Sequence, residues 1–298
     1  MALKTITSDI VGGAVFSLPW LVARDVGLFE KEGLRVKLVR SKERTDTGMS
    51  IDQVDPTGNH ILFEQKRAQF QRGCEWGQLR RAHDSKVEGR VIGKRAAIVC
   101  QAIMVGPESS FNHPEELSNV EVAVHYHAGS HYMTLHMLEG FLGRKEIQVT
   151  HIPVSAERYK ALLERRVAAI AVPEPWISLA ESQGCKVLCE AFCVGAEVAS
   201  PEIDKETYAA IQRAINGAVS LINRNKKKYV HYLLADVPKR IARLKPNLVH
   251  LSRLQYADPA PYPLAEFNRA YNWMVSWNLI PPGANFESMV DNRIGVAP

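Results

Sequence analysis

Cys74, Glu75 and Trp76 are three consecutive residues whose side chains could each act on a small molecule. A thiolate is a nucleophile, a carboxylate can serve as a general base, and an indole stacks on flat or cationic ligands. Gly73 and Gly77 flank the three residues, and glycine lets the backbone approach a ligand closely. The run that follows looks helical, and a helix N-terminus offers free N–H groups to an anion. This stretch therefore predicts a small-molecule cleft.

Each of the three residues also has a structural interpretation. Cys74 is either a nucleophile, with its thiolate stabilised by Arg72 or Arg80, or a small buried cysteine that lines the pocket. Glu75 could act as a base or bind a cationic ligand group, and it could equally form a salt bridge with an arginine of the next helix. Trp76 could stack on the ligand or belong to the core. The residues alone leave these alternatives open.

Three histidines surround a glycine and a serine at the junction of a predicted strand and a predicted helix. His125 and His127 are two residues apart on a strand end and point the same way, and His131 begins the helix. No carboxylate stands near them at tight spacing, so ligand hydrogen bonding or proton transfer is favoured over a metal site. Gly129 and Ser130 are predicted to bind a carboxylate or similar anion through their N–H groups.

His60 and Glu174 are two further candidates that stand apart from these motifs. His60 could be an acid or base group, or a histidine satisfied at the start of a strand. Glu174 lies between two prolines at the end of an apolar strand, and it could reach a cleft or only fix its corner. Neither residue identifies a reaction by itself.

Length and composition predict an ordinary globular protein. With 298 residues, one large or two smaller domains are expected, and 46% hydrophobic with 23% charged residues is typical of soluble chains. The formal charge of +5 suits an anionic substrate. The basic run at 224–228 is predicted to be a solvated helix end, so no nucleic-acid partner is expected.

The predicted location is the cytosol, without membrane insertion. No apolar run approaches the roughly 18 to 20 residues of a membrane span, and residues 1–7 do not resemble a signal peptide. The five cysteines are an odd number, which suits reduced thiols better than a disulfide framework, and their spacing does not favour structural zinc. No cofactor is predicted, and the sequence leaves a homodimer open.

Apolar periodicity predicts an α/β chain. Residues 4–10 and 34–38 are predicted strands, with a helix between them that stops at Gly33, and this order indicates a parallel βαβ unit. Two crossings between domains are predicted, at the apolar stretch 90–105 and near Gly195. Later elements are predicted as strands at 120–124, 147–154 and 167–172, helices at 132–141 and 155–166, and a mainly helical part from Ser200 on. A loop around a short helix is predicted at 41–59. The chain has no Gly-x-Ser-x-Gly elbow, Walker loop or dinucleotide fingerprint.

A family resemblance rests on residues 27–34, Gly-Leu-Phe-Glu-Lys-Glu-Gly-Leu, and on two weaker likenesses at 105–109 and 174–176. These segments resemble the nitrate/taurine-type solute-binding proteins, whose relatives include thiamine-precursor synthesis proteins. The resemblance implies a type II periplasmic-binding-protein fold, with two α/β lobes that clamp a ligand between them.

The same resemblance implies where the lobes and the cleft lie. The first lobe would comprise residues 1–100 and 198–298, and the second lobe residues 101–197. Closure would be hinged near 100–104 and 193–199. The segments near Asp9, Cys74, residues 127–130 and Glu174 would face one cleft.

A narrower resemblance is to the cytosolic desulfinases of dibenzothiophene degradation, which have this fold. His60 and Arg72-Gly73 are similar to a histidine and an arginine-glycine-glycine motif of that group, with Cys74 in place of the second glycine. The nucleophilic cysteine of those enzymes follows the first strand, where this chain has residues 10–12, Ile-Val-Gly.

Two hypotheses of function follow. The first is a cytosolic, cofactor-independent lyase or hydrolase that acts on a small, aromatic organic acid, with Cys74 and His127 or His60 as reactive groups. The second is a solute-binding protein that delivers such an anion to an ABC permease. The predicted ligand-binding residues are Asp9, Arg72, Gly73, Glu75, Trp76, His125, Gly129, Ser130, His131 and Glu174.

Overall fold

The computed structural model describes residues 3–10, 12–41 and 45–294. Residues 1–2, residue 11 in the loop after the first predicted strand, residues 42–44 of the predicted loop, and residues 295–298 lie outside the described residues. The strands are β1 Lys4–Asp9, β2 Leu34–Val39, β3 Phe70–Cys74, β4 Arg90–Lys94, β5 Ala97–Val105, β6 Glu121–Val124, β7 Gln148–His151, β8 Ala169–Pro173, β9 Lys186–Cys193, β10 Gly195–Ala199 and β11 Leu254–Tyr256.

Helices alternate with the strands along most of the chain. They are α1 Ala14–Asp25, α2 Leu28–Lys31, α3 Ile61–Glu64, α4 Glu75–Asp84, α5 Gly129–Leu138, α6 Ser155–Leu163, α7 Trp176–Glu181, α8 Lys205–Arg224, α9 Val230–Leu234, α10 Leu264–Ser276 and α11 Phe286–Met289. None of the helices in the described ranges has the length and apolar character that a membrane crossing requires.

The first sheet has the strand order β2-β1-β3-β10-β4. Strand β1 is parallel to β2 and to β3, which confirms the predicted βαβ unit. Strand β10 is antiparallel to both β3 and β4, so a segment from later in the sequence lies between two earlier strands of this sheet. The carboxyl ends of β1 and β3 meet at one edge of the sheet, and this edge positions Asp9 and Cys74.

The second sheet has the order β11-β5-β8-β6-β7, and β9 is a further strand that also pairs with β5. Strands β6, β7 and β8 are parallel, whereas β8, β9 and β11 run antiparallel to β5. The chain passes from the first sheet to the second at residues 95–96 and returns at Val194. The two sheets with their helices form the two lobes of the predicted fold class, and the residue limits of the lobes stay a prediction.

The sequence prediction was wrong for the segment that carries His60. Residues 58–60 form a 3-10 turn that leads into α3, and His60 is therefore not at the start of a strand. The Asp55 carboxylate accepts a hydrogen bond from the Thr57 N–H at 2.8 Å, and this turn favours helical backbone after it. Burial of Leu62 and Phe63 then fixes the short helix against the first lobe.

The two lobes are joined by a polar contact between the end of α5 and helix α10. The Glu139 carboxylate accepts hydrogen bonds from the indole N–H groups of Trp273 at 2.6 Å and Trp277 at 2.9 Å. The Arg144 guanidinium lies over the Trp277 ring, 4.6 Å from its centroid, and 3.6 Å from Glu139. We call these four residues the indole clasp.

Candidate functional site

A cavity of about 320 Å³ lies between the two sheets. Its lining combines the carboxyl end of β3, the N-terminal ends of α1, α5 and α6, and the loops beside them. Seven of the predicted site residues line this cavity: His60, Arg72, Gly73, Cys74, His125, Gly129 and Ser130. The predicted thiol-bearing turn and the predicted Gly-Ser turn therefore meet at one place.

Cys74 ends β3 and is the N-cap residue of α4, as the predicted helical run requires. Its sulfur accepts a hydrogen bond from the Gly77 N–H at 3.4 Å, and the residue is only 4% exposed. Burial raises the pKa of the Cys74 thiol, and the Arg81 guanidinium opposes this increase. The side chain is consequently a neutral thiol in the resting site at neutral pH.

Gly129 allows the N-terminus of α5 to approach Cys74. A Cβ atom at position 129 would lie 3.7 Å from the Cys74 Cβ and 3.4 Å from the Gln101 Nε2 atom. Any larger side chain would occupy the space between these groups. The close approach brings helix N–H groups, a thiol and a buried amide to the same part of the cavity wall.

Arg72 is a buried cation of the cavity wall. Its guanidinium donates to the Ser8 hydroxyl at 2.8 Å and lies 4.2 Å above the centre of the Trp20 ring. Burial lowers the pKa of Arg72 to about 10, and the carboxyls of Glu197 and Asp9 limit this decrease. The Arg72 Nε atom has no hydrogen-bond partner within the described residues, so the group has an unused donor.

Arg158 is a second buried cation, and sequence reasoning missed it. Its guanidinium donates to the Ala171 and Pro153 carbonyls at 2.9 and 3.1 Å, and to the Ser155 hydroxyl at 2.9 Å. Burial alone lowers the pKa of Arg158 to about 9. All of these acceptors are neutral, so among the described residues dipoles, and no carboxylate, accept hydrogen bonds from the Arg158 guanidinium.

Two helix N-termini present unused N–H groups to the cavity. The N–H groups of Gly129 and Ser130 in α5, and of Ser155 and Ala156 in α6, donate to no group within residues 3–10, 12–41 and 45–294. All four residues line the cavity. The dipoles of both helices favour a negative charge at these ends.

His60 and Asp9 form a buried pair at the wall of the first lobe. The His60 Nδ1 atom is 3.5 Å from the Asp9 Oδ2 atom. Burial holds the pKa of His60 well below its ordinary value and raises the pKa of Asp9 to about 6. Only His60 of the pair lines the cavity, and neither its Nδ1 atom nor the Asp9 carboxylate has a hydrogen-bond partner within the described residues.

His127 and His131 lie beside the cavity and connect its walls. The His127 ring is 3.3 Å from the Ile51 carbonyl through its Nε2 atom, and its backbone N–H donates to the His131 Nδ1 atom at 3.3 Å. Burial lowers the pKa of His127 to about 4 and that of His131 to about 3. Both imidazoles are therefore neutral at physiological pH, and neither residue lines the cavity.

Three predicted site residues do not line the cavity and instead make structural contacts: Glu75, Trp76 and Glu174. Glu75 accepts a hydrogen bond from the Tyr262 hydroxyl at 3.1 Å. Trp76 packs against aromatic residues of α5 and α10, with its ring centroid 5.7 Å from that of Trp273. Glu174 accepts from the Ser178 hydroxyl at 2.8 Å, which fixes the proline corner.

The cavity also contains polar residues that no motif indicated, namely Arg40, Arg81, Gln101, Arg158 and Asp236. Arg81 donates to the His127 carbonyl at 3.0 Å and so joins α4 of the first lobe to the second. The described ranges contain no group of three or more histidine, cysteine, aspartate or glutamate side chains arranged to hold a metal ion.

Two α/β lobes with an anion-compatible cavity between them define a type II periplasmic-binding-protein-like fold. No family model and no curated protein sequence matches the chain. Solved structures do match. The alkanesulfonate-binding protein SsuA from Xanthomonas axonopodis pv. citri, bound to MOPS, has a TM-score of 0.74 and 16% identity over 98% of this chain and 99% of its own.

Two further structures extend the comparison. The periplasmic aliphatic sulphonate binding protein SsuA from Escherichia coli has a TM-score of 0.71 and 14% identity over 100% of this chain and 94% of its own. A cysteine-to-serine mutant of DSZB with biphenyl-2-sulfinic acid has a TM-score of 0.62 and 14% identity over 97% and 96%. These likenesses confirm the predicted fold, which binding proteins and an enzyme share.

Proposed function

We propose that this protein binds a small organic anion, of the sulfonate, sulfinate or carboxylate class, between its two lobes. One observation carries the proposal: two buried guanidiniums, Arg72 and Arg158, and two open helix N-termini line a single cavity. A cavity of about 320 Å³ is at the small end of the range for ligand pockets. The structural neighbours are named for sulfonates or hold a sulfinic acid, which supports the same class.

Titration calorimetry with matched ligand pairs tests the proposal. We expect aromatic or aliphatic sulfonates, sulfinates and carboxylates to bind with Kd values of about 1–100 µM. The neutral sulfonamide or carboxamide of the same shape is expected to bind at least roughly 30-fold more weakly, because it leaves the buried cations unpaired. Equal binding of an acid and its neutral amide would contradict the proposal.

A second candidate function is catalysis on the bound acid, as a lyase or hydrolase. The observation in its favour is that Cys74 and His60 line the same cavity, and that His60 is neutral. In this reaction His60 would take the thiol proton as the Cys74 sulfur attacks the electrophilic centre of the acid. The bond from that centre to the organic group would break, and the leaving carbon would take the proton back from His60. Water would then hydrolyse the group left on sulfur, which releases the second product and restores the thiol. No cofactor is needed for these steps.

Substitution of Cys74 separates binding from catalysis. Cys74→Ser is expected to retain anion affinity within about threefold and to lose turnover of aryl sulfinates or carboxylates by at least about 100-fold. Cys193→Ser is the matched control, because Cys193 is also buried but does not line the cavity. Product formation is measured by mass spectrometry. Turnover that survives in Cys74→Ser would remove Cys74 from the mechanism.

The cytosolic location and the absence of a permease partner belong to the catalytic proposal. All five cysteines are free thiols, which supports a reducing compartment. If the protein only binds its ligand, its partner is instead an ABC permease to which it delivers that ligand. Cell fractionation of the native protein distinguishes the two locations.

A further inference from the structure

Asp236 occupies the N-terminus of the third helix that faces the cavity. The Ala14 N–H in the first turn of α1 donates to the Asp236 Oδ2 atom, across 222 positions of the sequence. The N-cap residue of α1 is Gly13, which has no side chain to cap the helix. A Cβ atom at position 13 would lie 2.8 Å from the Asp236 Oδ2 atom, so the glycine provides the space for this carboxylate.

The arrangement at α1 differs from that at α5 and α6. At those two helices the first N–H groups have no acceptor among the described residues, whereas α1 already has an acidic side chain at this position. Arg40 is a neighbouring cation: its guanidinium is 3.8 Å from Asp236 and also donates to the Gly12 carbonyl at 2.8 Å. The positive end of α1 and the Arg40 charge are therefore both directed at a carboxylate of the protein itself.

We propose that Asp236 is a specificity-determining residue that restricts the ligand to one anionic group and excludes dianions. The inference rests on the proposed function, since it assumes that the ligand's anionic group binds at α5 and α6. A second anionic group on the same ligand would approach α1, where it would meet the Asp236 carboxylate at short range. Like charges in a partly enclosed site repel strongly, so a dianion gains nothing from its second charge.

The test compares benzenesulfonate with benzene-1,3-disulfonate by calorimetry at about pH 8. Burial raises the pKa of Asp236 to about 6, so the carboxylate is ionised at this pH. The wild type is expected to bind the monosulfonate at least about 30-fold more tightly than the disulfonate. Asp236→Asn keeps an oxygen acceptor for the Ala14 N–H but removes the charge. This variant is expected to reduce the ratio of the disulfonate Kd to the monosulfonate Kd to about threefold or less.

Two further variants make the test specific. Asp204→Asn is the matched control, because Asp204 caps α8 by accepting from the Thr207 N–H at 2.7 Å and does not line the cavity. This variant is expected to keep the wild-type ratio. Arg40→Gln leaves the Asp236 charge without its neighbouring cation, and is expected to increase the ratio by about threefold or more.

The outcomes separate the inference from the function on which it rests. Binding of the monosulfonate with an unchanged ratio in both Asp236→Asn and Arg40→Gln overturns the role of Asp236 alone. Equal affinity of the wild type for the monosulfonate and the disulfonate also overturns the role of Asp236 alone. Absence of binding for every monoanion in the panel overturns the proposed function, and the specificity role with it.

Discussion

Replacement of Arg72 by methionine is expected to lower the free energy of unfolding by about 3–5 kcal/mol at about pH 8. Arg72 is 3% exposed, and its positive charge stabilises two buried carboxylates, Asp9 and Glu197. Methionine has a similar length but leaves both acids without their nearest cation. Urea unfolding followed by circular dichroism measures the change.

The free energy of unfolding that Arg72→Met loses is expected to increase with pH. Burial raises the pKa of Asp9 to about 6 and that of Glu197 to about 7, and Arg72 opposes both increases. A carboxyl with a raised folded-state pKa contributes stability below its unfolded-state pKa, and this contribution is lost as the pH rises through the folded-state value. Without Arg72 both pKa values rise further, so the deficit should be smallest near pH 4.5, where both acids are protonated in the folded state, and should grow above about pH 6.

Arg158→Met is the matched control for this prediction. Arg158 is equally buried, but its hydrogen-bond acceptors are neutral, so its deficit should change little over the same pH range. Adding Glu197→Gln to Arg72→Met should restore about 1–3 kcal/mol at about pH 8, because one unpaired buried charge is removed. A deficit of Arg72→Met that is independent of pH would show that packing, not charge, explains it.

Glu139→Ala is expected to open the two lobes. The substitution leaves the indole N–H groups of Trp273 and Trp277 without their acceptor, and hydrogen bonds to a charged group contribute about 1.5–3 kcal/mol each. The closed arrangement should therefore lose about 3 kcal/mol or more relative to the open one. We expect a larger radius of gyration in X-ray scattering and a change in tryptophan fluorescence.

Opening of the lobes in Glu139→Ala should also weaken ligand binding. If closure is no longer favoured in the free protein, part of the binding free energy is used to close the lobes, and the Kd rises by about tenfold or more. Glu139→Gln retains one oxygen acceptor and should give an intermediate result. Unchanged scattering and affinity in Glu139→Ala would mean that other contacts, such as Arg81 with the His127 carbonyl, hold the lobes together.

Local patterns in the sequence were sufficient for much of the fold. Alternation and apolar runs located β1, β2 and the parallel strands β6, β7 and β8 of the second sheet, whereas β11, in a part predicted as mainly helical, was missed. The junction at Cys74 was also predictable, since a strand followed by a polar helical run places its last residue at an N-cap. The cavity-facing Gly129 and Ser130 followed from the same kind of junction.

The remaining site residues depend on contacts between distant segments. Asp236 reaches α1 from the other end of the chain, and no local spacing indicates that position. The direction of Trp76 depends on how α4 packs against α5 and α10, so its residue type alone could not distinguish a ligand platform from an interlobe contact. His60 was assigned to a strand because the turn at Asp55 was not recognised as the start of a helical segment.

The position of β10 between β3 and β4 has a consequence for synthesis of the chain. Strands β5 to β9 all leave the ribosome before β10, whereas β3 and β4 cannot pair with β10 until residues 195–199 are available. Strands β5 to β9 of the second sheet can therefore pair first on the nascent polypeptide, with only β11 still to be added, while β3 and β4 keep open strand edges. A truncation before residue 195 would leave those edges unpaired and prone to aggregation.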